Sequence, residues 1–92
     1  MAKYVAAVDH KAGYEKSWTY IQLENTDKSF AFAEAAVKGF QKPEAFCVVV
    51  LKQVKKHEFT QLVRIYPSGN IEDIRNQYGD KNWTIFNNEI EK

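Results

Sequence analysis

Cysteine is nearly absent: the chain of 92 residues has one, Cys47. No disulfide can form within it, and the usage fits a reducing, cytoplasmic compartment. With only two histidines, His10 and His57, there is no cluster of Cys, His and carboxylates of the kind that holds a metal. No metal and no cofactor is expected. Gly13, Gly39, Gly69 and Gly79 are scattered, and no phosphate-cradling loop can be written from them. A run of about 18 apolar residues, as a membrane span needs, is missing. The N-terminus, MAKYVAAVDHK, lacks an apolar core of signal-peptide length. Excess charge is lacking too. Thirteen Lys and Arg against 12 Asp and Glu give a net +1, which excludes an acidic nucleic-acid mimic and a histone-like binder.

What is present suits one globular domain spanning residues 1–92. A domain this small buries only about two-thirds of its chain's surface, and 45% hydrophobic with 14% aromatic residues supplies the material. Residues 3–9 (KYVAAVD) are β-prone, and residues 10–16 (HKAGYEK) read as a loop. Residues 17–24 (SWTYIQLE) alternate, with Thr19, Ile21 and Leu23 on one face and Trp18, Tyr20 and Gln22 on the other. That period of two is a strand signal, and the two segments should pair antiparallel.

Residues 25–27 offer helix-capping side chains. The spacing of Phe30, Ala33, Val37 and Phe40 then predicts an amphipathic helix over 28–40 with those residues facing the core, and Phe32 off that face. Gly39 is expected to stop the helix in a left-handed turn, with Pro43 preventing its continuation.

Residues 46–66, FCVVVLKQVKKHEFTQLVRIY, hold two apolar runs around a basic tip, the pattern of a β-hairpin. A turn centred between Lys56 and His57 places Lys55 opposite Glu58, Val54 opposite Phe59, Val50 opposite Val63 and Val48 opposite Ile65. Phe46, Val48, Val50, Val54, Phe59, Val63 and Ile65 then form a core face under the helix. Cys47, Val49, Leu51, Leu62, Arg64 and Tyr66 form a mixed opposite face. The first hairpin strand, apolar on both sides, belongs in the sheet interior. Residues 67–70 (PSGN) form a turn. Asn70 caps a second short helix, Ile71 to Tyr78, with Gly79 as its stop; an extended reading with Ser68-Gly69 as a hairpin turn is the alternative. Residues 83–86 (WTIF) suit a final edge strand, and 87–92 are expected to fray. The sum is an α+β fold: an antiparallel sheet in β-β-α-β-β order on one main helix, then a short helix and an edge strand.

No group stands out for catalysis. Asp9-His10 and His57-Glu58 are adjacent acid–histidine pairs, but neighbours on a strand point to opposite faces. Both histidines are expected at solvated strand ends or tips. Cys47, in an apolar strand, reads as a small hydrophobe. The remaining signal is surface recognition. Residues 38–64 carry a net +4 and residues 65–92 a net −2. Lys52, Lys55, Lys56, His57 and Arg64 gather on one hairpin, and Trp18, Tyr20 and Tyr66 stand on the open face of the same sheet. Cations beside aromatic rings suit single-stranded nucleic acid. Ile74, Tyr78, Trp83 and Phe86 would cover those rings if the C-terminal tail folded over them.

The chain's size, its lack of targeting signals and the β-β-α-β-β order resemble small phage-encoded proteins, among them anti-CRISPR inhibitors that block a host nuclease complex. The resemblance is one of size and element order, without a diagnostic motif. It implies a non-enzymatic, cytoplasmic protein that occludes a surface of a larger host ribonucleoprotein, with the basic hairpin touching guide RNA or blocking a DNA path. The alternative is a direct RNA or single-stranded DNA binder using the hairpin and the aromatic face.

Overall fold

The computed structural model describes residues 2–75 and 82–91. Over these residues it is α+β, with one α-helix and a mixed seven-stranded sheet. The strands are β1 (Tyr4–His10), β2 (Trp18–Gln22), β3 (Ala45–Lys55), β4 (Glu58–Ile65), β5 (Ile71–Asp73), β6 (Trp83–Thr84) and β7 (Ile90–Glu91). The helix α1 (Lys28–Gly39) lies between β2 and β3 in the chain. Across the sheet the order is β5-β4-β3-β1-β2-β7, with β6 also pairing with β4. All pairings are antiparallel except β2 with β7. The sheet is therefore mixed, not purely antiparallel, because the last residues cross to the far edge and add a strand in the same direction as β2.

Side chains sort to two faces by the period of two. Tyr4, Ala6, Val8, Ile21, Val48, Val50, Val63 and Ile65 form one buried cluster with Ala31 and Ala35 of α1. Val5, Ala7, Val49, Leu51 and Phe59 form a second cluster on the other face, closed by Ile74 and Ile85. Trp18, Tyr20, Trp83 and Ile90 pack around it. The tail thus covers the face that the sequence left open. It pairs at β4 through Trp83 and Thr84, then at β2 through Ile90 and Glu91.

The helix presents a different stripe from the expected one. Ala31, Ala35 and Gly39 are buried, while Phe30 and Val37 are exposed and Ala33 is exposed as well. Phe40, partly buried, still packs on the core. Asp27 caps the first turn by accepting from the Ser29 and Phe30 N–H groups. Gly39 is not a left-handed stop. It is the last helical residue, and a Cβ there would lie 2.5 Å from Val48 Cγ2. Small residues at four-residue spacing bring the helix axis close to the sheet, which larger side chains would hold off.

The hairpin register holds at both ends: Lys55 faces Glu58, Val50 faces Val63, and Val48 faces Ile65. Between these points Gln53, not Val54, faces Phe59, and Leu51 faces Gln61. Val54 and Leu62 are thus extra residues in two compensating bulges. Phe46 is a third, where Asp9 faces Cys47 but His10 faces Ala45. The bulges correct the expected core. Phe46 and Val54 are half-exposed, Phe59 joins the second cluster, and Leu62 packs against the first.

Residues 71–73 form β5, the extended alternative, and not the first turn of a helix. The turn before it is set by Gly69, whose φ of +94° suits glycine alone. Tyr78 and Gly79 lie outside the described residues. Residues 87–91 do not fray: a 3-10 turn (Asn87–Glu89) leads into β7.

Gly39→Ala should lower stability by about 1–3 kcal/mol, since overpacking against a stiff, fully buried valine outweighs the helix-propensity gain. Thermal unfolding of G39A, V48A and the double variant checks this. Relief of the G39A loss in the V48A background is the expected outcome; simple additivity would mean the contact is not the cause.

Candidate interaction surface

The β3–β4 hairpin ends in a cluster of exposed positive charge. Lys52, Lys55 and Lys56 are exposed, and His57 is half-buried. The tip is braced on both sides. The Gln53 side-chain amide donates to the Lys56 carbonyl at 2.8 Å, and the Ile85 N–H donates to the His57 carbonyl at 2.9 Å. Thr84 and Trp83 pair with Glu58 and Phe59. The His57 ring lies 4.9 Å from that of Phe86, and its Nδ1 is buried with no hydrogen-bond partner among the described residues. Phe86 is itself 52% exposed and Val54 47%. The result is a braced tip with Lys55 and Lys56 on or beside the turn; Lys52 lies further back, in a row with Tyr4 and so on the helix-side face.

The other expected site residues lie elsewhere. Arg64 is six residues beyond Glu58, about 20 Å along the strand from the tip. It sits on the opposite face in one row with Glu72, Val49, Ala7, Tyr20 and Ile90. Arg64 Nη1 lies 3.6 Å from Glu72 Oε1, and the Tyr66 hydroxyl donates to the same oxygen at 3.1 Å. Trp18 meets Trp83 edge to face at 5.0 Å. Tyr20 is half-covered and pairs with Ile90. Burial, then the negative charge of Glu89, pushes the Tyr20 hydroxyl pKa up. Arg64, Tyr66, Trp18 and Tyr20 therefore do not join the lysines in one site, and the two rings at 18 and 20 are not an open stacking platform.

His10 corrects the expectation of a solvated strand end. It is 7% exposed and bonded at both ring nitrogens. Its Nδ1–H donates to the Pro43 carbonyl at 2.7 Å, and the Thr19 hydroxyl, 2.7 Å away, donates to Nε2. The carbonyl can only accept, which assigns the proton to Nδ1. The ring also stacks on Tyr14. Its role is to pin the β1–β2 loop against the α1–β3 loop.

Cys47 is buried beside Asp9, with Sγ 3.8 Å from Oδ2. Burial first, then the Asp9 carboxylate, raises the thiol to about 11, against a smaller opposing pull from Arg64. Such a thiol stays protonated at neutral pH and is a poor nucleophile.

No protein-family model, no curated protein and no solved structure matches this chain. Its surface chemistry has to be weighed on its own terms. Among the described residues no three His, Cys, Asp or Glu side chains gather to hold a metal, and no helix is long and apolar enough to cross a membrane.

Two features escaped the sequence reading. One is the pair Phe30 and Val37 on the outer side of α1, 66% and 63% exposed. The other is Glu34, which staples the β2–α1 connection. Its carboxylate accepts from the Glu24 and Asn25 N–H groups, the Asn25 side-chain amide and Lys38 Nζ. Burial alone would raise its pKa, but these bonds prevail and lower it from 4.5 to about 2. The small-residue stripe Ala31-Ala35-Gly39 was the available signal for the first feature. Nothing local marked the second.

Cys47 should react with an aromatic disulfide reagent only at the rate of unfolding; rapid modification of the folded protein would contradict the burial. Glu34 gives a pH test. Its lowered folded-state pKa makes its contribution complete above its ordinary value of 4.5 and lost as pH falls through about 2. Glu34→Gln should therefore destabilise the protein at neutral pH and progressively less below 4.5. Urea unfolding of both proteins across that range reads the convergence, and a constant gap would show that the carboxylate's charge is not what matters.

Proposed function

We propose that this is a non-enzymatic binding protein that works by covering a surface of a larger complex, with the basic hairpin tip as its point of contact. The observation that carries this reading is the composition of the tip. Lys55 and Lys56 are exposed at the turn and Lys52 on the strand leading into it, and the turn is braced by Gln53, Ile85 and the His57–Phe86 contact. Clustered cations steer the approach to an anionic partner, and a braced turn loses little entropy on docking. The resemblance in size and element order to small phage-encoded anti-CRISPR inhibitors points to a host ribonucleoprotein in the host cytoplasm as the complex. The lysines would then contact its guide RNA or its DNA path. Direct binding of single-stranded nucleic acid is the second reading. It requires bases to stack on Trp18 and Tyr20, and those rings lie against Trp83 and Ile90. Occlusion therefore ranks first.

The test is charge reversal at exposed positions that leave the core intact. Lys52→Glu, Lys55→Glu and Lys56→Glu together should abolish capture of the complex from host lysate while leaving the melting temperature unchanged. Retained capture would show that the tip is not the contact surface. A labelled oligonucleotide offered to the isolated protein at two salt concentrations separates the readings. Binding that falls steeply with salt would favour direct phosphate contact; no binding at low salt would exclude the direct binder.

A further inference from the structure

Helix α1 is packed with its largest apolar side chains outward. Ala31, Ala35 and Gly39 face the sheet, while Phe30 and Val37 stand 66% and 63% exposed. Exposed Ala33 lies between them, so the three form a contiguous stripe at i, i+3 and i+7. That is the spacing of a helix-pairing seam. With Asn25, Glu34 and Lys38 the stripe lines a shallow groove of about 350 Å³. A single exposed apolar residue is ordinary; a contiguous stripe marks a contact. Among the described residues, α1 is the only helix of more than one turn and forms the whole outer layer on its side of the sheet.

We infer that this stripe docks a second copy of the chain, helix antiparallel to helix across a two-fold axis. A two-fold interface must be complementary to itself. Phe30 and Val37 lie symmetrically about the midpoint between residues 33 and 34. An antiparallel pair therefore sets each Phe30 against the second copy's Val37. The methyl of Ala33 falls at the axis, where a small side chain lets the two helices approach to about 8–10 Å.

Charge agrees with the antiparallel sense. Asp27 stands at the helix start and Lys38 in the last turn, on the same flank of the stripe. Antiparallel pairing brings Asp27 toward the second copy's Lys38 and opposes the two helix dipoles; parallel pairing would leave these flanks on opposite sides of the seam and align the dipoles. The two Glu34 side chains approach near the axis. Each is already held within its own chain by Lys38 at 2.7 Å and by bonds from Glu24 and Asn25. Docking therefore strands no bare carboxylate. One helix against one helix buries less than the roughly 1,200 Å² of a standard interface, so the dimer is weak and dissociates on dilution. The stripe lies outside the hairpin tip, so pairing leaves both tips free and makes the assembly bivalent for any partner.

Sedimentation equilibrium of the purified protein, from low-micromolar to about millimolar concentration, tests this without any partner and so independently of the hairpin reading. The weight-average mass should rise from one chain toward two. Val37→Lys and Ala33→Glu, both at exposed positions, should weaken association at least tenfold with unchanged circular dichroism and melting. Under mild oxidation Ala33→Cys should form a disulfide-linked dimer readily and Phe30→Cys should not, since only residue 33 meets its own copy at the axis. A single-chain mass throughout, association unaffected by V37K, or preferential cross-linking of F30C would overturn the inference.

Discussion

The close approach of α1 to the sheet is the constraint on which most of the structure depends. It is made possible at one point by the missing side chain of Gly39, above Val48. The same approach runs the length of the helix through Ala35 and Ala31. Helix and sheet then bury a common cluster of valines and alanines, with Tyr4, Ile21 and Leu23 at its margins. Because alanine and glycine contribute little volume, the apolar surface comes mainly from the strands. The helix acts as a thin cover, and its own phenylalanine and valine are released to the outside.

The second face of the sheet needs another cover, since β1 and β3 are apolar on both sides. Ile74 and Ile85 fill it, and Trp83 and Ile90 close its margins. The buried Gln61 ties this cover down: its amide donates to the Ile74 carbonyl, and the Trp83 indole N–H donates to its oxygen. The tail therefore consumes the aromatic face that would otherwise have been open to bases or to a partner. It also braces the hairpin tip, through Thr84, Ile85 and Phe86. One segment thus removes one candidate surface and stiffens another.

Two surfaces remain whose chemistry is unusual for a solvated exterior. The hairpin end carries three exposed lysines, with Val54 exposed on the same strand and Phe86 exposed against His57. The helix combines Phe30, Ala33 and Val37 with a neutralised acidic flank. The first is the proposed contact with an anionic partner, and the second the inferred contact with a second copy. Both arise from positions that local packing rules would have sent inward: Val54 through a bulge, Phe30 and Val37 through the helix's rotation.

Much of the β framework was legible from periodicity. The alternation of Thr19, Ile21 and Leu23, the pairing of Val48 with Ile65, and the turn at Lys56-His57 follow from residue spacing alone. Bulges are invisible to it, because one extra residue costs little locally and is decided by the partner strand. Periodicity alone therefore misplaces Phe46, Val54 and Phe59. The helix offered two apolar stripes, and hydrophobicity favoured the larger residues; the sheet's demand for close approach chose the smaller ones. Local sequence marks His10 as a solvated strand end, because its partners, Pro43 and Thr19, come from other elements. By itself the sequence determined β1 to β4, the helix span, a capping segment at 25–27 and the cationic tip, since each depends on neighbours within a few residues. Tertiary structure alone decided which helix face turned inward, which strand residues bulged out, and whether the aromatic face stayed open. Those outcomes depend on contacts between segments far apart in the chain.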